Sequence, residues 1–151
     1  MLDKNQQADS ENVALFEAAL RNDLSGLHKA IGRGGKVDYF HRKEDSKNAL
    51  HVAAEGGYAI VVDALLKHGA HANAVAVSGH DTALTLCAHS GHTEVARMLL
   101  DHGADVRAGN GYGNTALHEA CHSGRCADLV RLLLEKGADV NAQNNKGSTP
   151  L

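Results

Sequence analysis

The segment TALHEACHSGRCADLVRLLLEKGA, residues 115–138, decides the fold because its main features occur again elsewhere in the chain. It ends on the pair Gly137-Ala138, and the same pair occurs at Gly103-Ala104 and at Gly69-Ala70, each 34 residues from the next. A regular internal period of this length indicates structural repeats that stack on one another rather than one globular core. A Leu-Leu pair precedes each Gly-Ala pair, at Leu65-Leu66, Leu99-Leu100 and Leu133-Leu134.

A further marker begins each repeat with a short polar residue followed by a small or apolar one. It occurs as Asn48-Ala49-Leu50-His51, Thr82-Ala83-Leu84-Thr85, Thr115-Ala116-Leu117-His118 and Thr149-Pro150-Leu151. The combined pattern resembles the ankyrin repeat, whose T-P-L-H-x-A-A, G-H, L-L and G-A skeleton it follows over nearly the whole chain after residue 10. The resemblance implies an all-α solenoid of stacked helix-turn-helix units with β-turn fingers.

The residue types in these columns account for a pair of short helices in each repeat. The opening Asn or Thr carries a side-chain oxygen suited to an N-cap, and Pro150 stands where a helix tolerates proline, at its first position. Each helix pair has apolar residues on two sides, so it can be buried only between two copies of itself. Glycines that favour the left-handed conformation follow the first helices at Gly57, Gly91 and Gly124, and the second helices at Gly69, Gly103 and Gly137.

The repeat pattern divides the chain into six segments. Residues 1–9 are expected to form a flexible tail, and residues 10–43 an N-terminal capping repeat with a long loop. Three repeats follow at residues 44–77, 78–110 and 111–144. Residues 145–151 begin a further repeat, so we expect the natural chain to continue past Leu151; the alternative is that this short segment alone shields Leu129 and Leu133.

Three places depart from the regular spacing. The finger at Tyr39–Lys47 is longer than the family pattern allows, and the finger at Ser78–Asp81 has one extra residue with its glycine one place early. The fourth repeat gains one residue between its helices, at Gly124–Asp128. Such departures are the positions at which one member of a repeat family differs from the next.

Composition excludes several classes of function. The 15 Lys and Arg residues against 18 Asp and Glu give a net charge of −3, which argues against nucleic acid as a partner. No apolar run approaches a membrane span and the polar N-terminus is no signal peptide. Three cysteines favour a reducing compartment, the cytoplasm or nucleus, over a disulfide framework. No catalytic motif or cofactor-binding loop is present, so we predict neither an enzyme nor a cofactor.

Members of the resembling family contact partner proteins through the finger tips and the outward side of the first helix. Of the chain's five aromatic residues, three fall in fingers, although aromatics are only 3% of the composition. Tyr112, between two glycines, is the strongest candidate anchor; the alternative for Tyr39 and Phe40 is that they fold inward and fill the long loop. The predicted partner-binding residues are Tyr112, His89, His122, Asn114, His80, Asp81, Glu55, Tyr39, Phe40 and Lys47.

The eleven histidines and three cysteines suggest a metal site, but their positions argue against one. His89 and His122 share a column in adjacent repeats, yet zinc needs three or four ligands and no HExxH or paired C-x-x-C occurs. Cys87 and Cys121 take alanine positions, which indicates burial, whereas Cys126 in the inserted turn is a candidate exposed thiol. A pH response of the histidines is an alternative to simple solvation. The repeat pattern explains five histidines, namely His51, His68, His92, His102 and His118. In the resembling family the histidine of the T-P-L-H turn, here His51 and His118, hydrogen-bonds to backbone groups between repeats.

Two functions follow from the resemblance. The first is a monomeric, non-catalytic module that binds one partner protein of unknown identity. The second is a regulatory or targeting segment of a larger enzyme whose catalytic domain lies beyond residue 151. The sequence around Asn141 also resembles the site of asparaginyl hydroxylation in ankyrin repeats, although a turn residue explains Asn141 equally well.

Overall fold

The repeats fold as helix pairs. The computed structural model describes residues 4–41, 46–124 and 127–151, and within these residues the chain forms eight helices in four consecutive pairs. We number the pairs as the first to fourth repeats. The helices are α1 Lys4–Leu20, α2 Leu24–Gly32, α3 Ala49–Gly56, α4 Ala59–Lys67, α5 Ala83–Ser90, α6 Thr93–Asp101, α7 Ala116–Ser123 and α8 Ala127–Glu135.

The pairs stack in chain order to give two layers. The inner helices α1, α3, α5 and α7 each contact the next, and so do the outer helices α2, α4, α6 and α8. Inner helices approach closely because small residues such as Ala53, Ala54 and Ala88 are fully buried between them, while leucines such as Leu65 and Leu99 fill the space towards the outer layer. The prediction of an all-α solenoid is confirmed.

The predicted caps determine where the inner helices begin and end. The Asn48 side chain accepts a hydrogen bond from the backbone N–H of His51 (3.1 Å), and Thr82 makes the same bond with Thr85 (3.1 Å). The first repeat has no glycine at the corresponding turn, and there Asn22 takes the left-handed conformation with φ 56°. Left-handed glycines end the inner helices of the other repeats, at Gly57 (φ 72°), Gly91 (φ 81°) and Gly124 (φ 64°).

The N-terminal helix differs from expectation. The polar composition predicts a flexible tail over residues 1–9, but helix α1 begins at Lys4; residues 1–3 lie outside the described residues. Lysine, glutamine and alanine, which make up most of residues 4–9, are good helix formers, so a polar segment joined to a packed helix extends it. Polarity therefore indicated exposure correctly, but did not indicate loss of structure.

The fingers are short hairpin-like turns that precede the inner helices. Each is closed at its base by an isolated antiparallel bridge, joining Phe40 to Asn48, Val75 to Thr82 and Gly109 to Thr115. Residues 42–45 of the long Tyr39–Lys47 finger, and residues 125–126 of the inserted turn with Cys126, lie outside the described residues. None of the described helices combines the length and the hydropathy that crossing a membrane requires.

Candidate functional site

The fingers are joined to one another by backbone hydrogen bonds. The Gly111 N–H donates to the carbonyl of Gly79 (2.7 Å), and the Asn145 N–H donates to the carbonyl of Tyr112 (3.0 Å). A longer bond of 3.4 Å joins Val77 N–H to the carbonyl of Ser46. The finger tips therefore form a continuous row beside the inner helices, and we call this row together with the exposed side of the inner helices the finger face.

Tyr112 stands on a turn that one side-chain oxygen holds at two points. The Asn110 side-chain oxygen accepts the backbone N–H groups of both Tyr112 (3.0 Å) and Asn114 (3.1 Å). A side chain at Gly111 would come within 3.0 Å of the Gly79 carbonyl oxygen, and Gly113 is left-handed with φ 76°. The flanking glycines thus serve finger stacking, and the Tyr112 ring is left 69% exposed on a rigid support.

Asparagines at one position hold the last two fingers in the same way. The Asn144 oxygen accepts the N–H groups of Lys146 and Ser148 (both 3.0 Å), as Asn110 does in the preceding finger. Its amide nitrogen donates to the Asn114 side chain (2.8 Å). Asn114, predicted to contact a partner, is therefore engaged in the link between fingers.

A cavity of about 370 Å³ opens on the finger face between the third and fourth repeats. It brings together half of the residues that the sequence assigned to partner binding. These are Asp81 and Tyr112 from the fingers, His89 and His122 from the last turns of α5 and α7, and Asn114.

The cavity wall also contains polar residues that the sequence reasoning missed. Glu119, with a side chain only 12% exposed, accepts hydrogen bonds from Asn110 (3.3 Å), from Asn114 (3.0 Å) and from the Nδ1–H of His89 (3.0 Å). Asn110 also donates to Asp81 (3.0 Å), so the two carboxylates are connected through one amide. The repeat columns of the sequence already contained a signal for Glu119.

Glu119 occupies the column that holds Val52 in the second repeat and Leu86 in the third. A carboxylate in a column of aliphatic residues is a departure of the kind that marks a site. The sequence analysis compared histidines and aromatics between repeats and did not compare this column.

Thr85 is the second missed residue of the cavity wall. In the repeats on either side, the same column holds His51 and His118, whose Nε2–H groups donate to the carbonyls of Ala74 (2.9 Å) and Ser148 (3.0 Å) in the next finger. The Thr85 hydroxyl instead bonds within its own repeat, to the carbonyl of Thr82 (2.9 Å) and to Asp81 (3.3 Å). In this column, therefore, no imidazole joins the third repeat to the next finger.

The bridging histidines have a defined tautomer. At His51, Nε2 must carry the hydrogen because it faces a carbonyl, and Nδ1 accepts the backbone N–H of Asn48 (3.2 Å). Burial lowers the pKa of His51 from its ordinary value, and the positive charge of Lys47 lowers it further. The structural role that the resemblance implied for the histidine of this turn is confirmed for His51 and for His118.

The remaining predicted residues lie outside this cavity. Lys47 donates to Glu55 (2.7 Å) at the second repeat, where the Lys47 side chain is only 17% exposed. Phe40 and Tyr39 are half-buried, and the Phe40 ring lies 6.1 Å from the ring of His51. This contact favours the inward-folding alternative for Phe40.

His80 is exposed at the tip of the irregular finger and its backbone is left-handed, with φ 53°. In the following fingers the corresponding places hold Gly113 and Gly147, which have positive φ at little cost. The early glycine, Gly79, is also left-handed with φ 74°. The extra residue in this finger therefore places a histidine where the turn favours glycine.

The sulfur chemistry of the described chain is inert. Cys87 is fully buried as predicted, and burial raises the pKa of its thiol far above the ordinary value. Cys121 is half-buried, and burial raises its pKa as well, so neither thiol is activated as a nucleophile. Among the residues described, no three His, Cys, Asp or Glu side chains are placed to hold a metal ion.

Asn141 lies in the exposed turn after α8, where its backbone N–H donates to the Asp139 carboxylate (2.9 Å). This bond supports its role as a turn residue, and its hydroxylation stays a prediction.

Comparison with known proteins agrees with this geometry. A family model described as ankyrin repeats, in three copies, matches residues 15–110 and again residues 76–144. These two matches together span the four helix pairs from the middle of α1 to the turn after α8. No curated protein matches the chain.

Proposed function

The chain belongs to the ankyrin-repeat family, and we propose that it is a non-catalytic module that binds one partner protein through its finger face, centred on Tyr112. Ankyrin repeats are generally protein–protein interaction modules, and ankyrin domains are typically non-catalytic. The observation that carries the proposal is the exposed Tyr112 ring, held on a hydrogen-bonded turn beside a cavity that the inner-helix residues His89 and His122 also line.

Rigidity supports the choice of Tyr112 as the anchor. A large ring on an ordered support loses little conformational entropy on binding, and such anchors dominate the energetics of interfaces. His89 is held by its bond to Glu119 (3.0 Å), so part of the wall is also ordered before a partner arrives. The finger face therefore offers contact area to a partner without a large loss of conformational entropy on binding.

The compartment is part of the proposal. We infer the cytoplasm or nucleus, because Cys87 and Cys121 are free thiols and an extracellular protein would be exposed to oxidation. Expression in cells of the source organism with a proximity-labelling enzyme fused to the chain reports both the compartment and the neighbouring proteins.

Variants of the same fusion test the face. Proteins labelled by the wild type should be lost with Tyr112→Ala combined with His122→Ala, and retained with Ile60→Ala. Ile60 is a matched control because it is 67% exposed on the outer helix α4, away from the finger face. Loss of one such anchor is expected to weaken an isolated complex by about 2 kcal/mol, or roughly 30-fold. Unchanged labelling by the folded double variant would overturn the proposal.

A further inference from the structure

The junction that holds the cavity below Tyr112 differs from its neighbours in the column of Thr85. At the junction between the second and third repeats, the His51 ring spans the gap and bonds to the next finger. At the junction between the third and fourth repeats, Thr85 stands in that column and bonds only to groups of its own turn, among the contacts described. A cavity of about 340 Å³ also lies beside His118 at the next junction, so a histidine in this column does not exclude a cavity, and the residues that line the cavity distinguish the Thr85 junction.

The charge of this cavity is negative. Asp81 and Glu119 contribute two carboxylates, and no lysine or arginine among the described residues lines the cavity. The Asp81 carboxylate accepts two hydrogen bonds and the Glu119 carboxylate accepts three, whereas an ionised carboxylate has about four acceptor positions. Both groups therefore retain capacity for donors from a cationic ligand.

The rim adds an aromatic surface to this charge. The Tyr112 ring is 69% exposed and lines the same cavity as Asp81 and Glu119. A guanidinium group stacks on an aromatic ring with its flat face and donates hydrogen bonds to carboxylates with its edge. An ammonium group has no flat face and interacts with rings and carboxylates only as a point charge. The combination of ring and carboxylates favours a planar cation.

From these observations we propose that the cavity binds the guanidinium group of an arginine side chain on the partner protein, with Asp81 and Glu119 as its charge partners and Tyr112 as its stacking surface. This inference rests on the proposed function and specifies the chemistry of the partner. It places the arginine at the centre of the interface, below the row of fingers.

The probe is a display library of random peptides selected on the full chain at about pH 8, where histidine is generally uncharged. Peptides that compete with one another on the wild type are expected to share an arginine. In a synthetic copy of a selected peptide, citrulline replaces this arginine, because citrulline is nearly the same shape without the charge. We expect this replacement to weaken binding at least about tenfold.

Variants of the protein locate the arginine. Asp81→Asn with Glu119→Gln should lower affinity for the arginine peptide to that of the citrulline peptide. Glu94→Gln, which removes one charge from the outer helix α6, is the control and should bind as the wild type does. Thr85→His should weaken the preference for arginine over citrulline, because the larger ring would take up space beside the Asp81 carboxylate, which Thr85 contacts at 3.3 Å.

The outcomes separate this inference from the proposed function. Peptides that are lost with Tyr112→Ala but bind equally with citrulline would support the finger face and overturn the arginine site. Failure to select any peptide that depends on Tyr112 would count against both. Circular dichroism establishes that each variant is folded; if Thr85→His is not, the double variant of Asp81 and Glu119 decides, and unchanged arginine preference in it overturns the inference.

Discussion

Two neighbouring junctions of the stack are built from the same columns and differ in how they are closed. Between the second and third repeats, His51 bonds to the Ala74 carbonyl and His92 donates to the Glu55 carbonyl (3.1 Å), so imidazoles connect the repeats at two points. Between the third and fourth repeats, Thr85 replaces the first imidazole and a cavity of about 370 Å³ remains. We call these the closed and the open junction.

The comparison of the two junctions indicates where in a repeat protein a binding site can arise. The inner helices at both junctions are packed by alanine and leucine, and this packing holds the stack together without the finger-side column. A histidine in that column adds a hydrogen bond between repeats, and it is compatible with a cavity, because one of about 340 Å³ lies beside His118. Binding at the open junction therefore requires no change in the packed layers.

The largest expected effect comes from breaking the closed junction at Gly57. A Cβ at this residue would lie 2.5 Å from the His92 ring, and the backbone there is left-handed with φ 72°. We expect Gly57→Ala to lower the free energy of unfolding by about 3 kcal/mol, since conformational strain and displacement of the ring act together. Urea unfolding followed by circular dichroism measures it.

Gly69→Ala is the matched control for this substitution. Gly69 is also left-handed, with φ 87°, but no atom lies within 4 Å of the position its Cβ would take. The control should cost only about 1–2 kcal/mol from strain. Equal costs for the two substitutions would show that the His92 contact contributes nothing to the closed junction.

The next effect comes from turning the closed junction into an open one. His51→Thr copies the residue of the third repeat, and it removes the bond to Ala74 together with the contacts of a fully buried ring. We expect a loss of about 2 kcal/mol in the free energy of unfolding. His71→Thr, at a ring that is 79% exposed, should change the same quantity by less than about 0.5 kcal/mol. A comparable loss in both variants would contradict a special role for His51.

Acid should weaken the closed junction more than the open one. Burial lowers the pKa of His51 in the folded chain, so below about pH 6.5 the unfolded chain takes up a proton that the folded chain resists. Stability from this group is therefore complete above that pH and is lost as the pH falls towards the lowered pKa. Protonation of Nδ1 would also end its acceptance of the Asn48 N–H.

Parallel unfolding of the wild type and His51→Thr between about pH 7.5 and about pH 5 measures this effect. The difference in stability between the two proteins should shrink as the pH falls. We expect a smaller change than the full cost of His51→Thr, because only the ionisation of one ring contributes. A difference that is independent of pH would contradict the assignment.

The sequence predicted the fold because the same capping residues and glycines recur in several repeats. Caps at Asn48 and Thr82 and left-handed glycines at Gly57 and Gly91 each follow from local backbone chemistry, which does not depend on distant contacts. The extension of α1 was missed because good helix formers can be polar and exposed at the same time. Local backbone chemistry therefore predicted which helices form better than it predicted where α1 begins.

The candidate site was predicted only in part, for a different reason. Tyr112, His89 and His122 were found because aromatic and histidine residues are conspicuous in the repeat columns. Glu119 and Thr85 were missed because only histidine and aromatic residues were compared between repeats. The contact of Glu119 with His89 across the junction depends on side-chain geometry, which a repeat period does not report. Comparison of every column, including the aliphatic ones, would have identified both positions as departures.

The smallest expected effect concerns His80, in the finger above the open junction. His80 is held at φ 53°, where the next finger has Gly113, and a residue with a Cβ is strained in this region. His80→Gly relieves the strain but gives the unfolded chain more freedom, so we expect a net gain of about 0.5 kcal/mol in the free energy of unfolding. Ser78→Gly in the same exposed finger is the control; its φ is not positive, so it should lose stability slightly. If both substitutions lower stability, His80 is not strained, and the irregular finger is as relaxed as its regular neighbours.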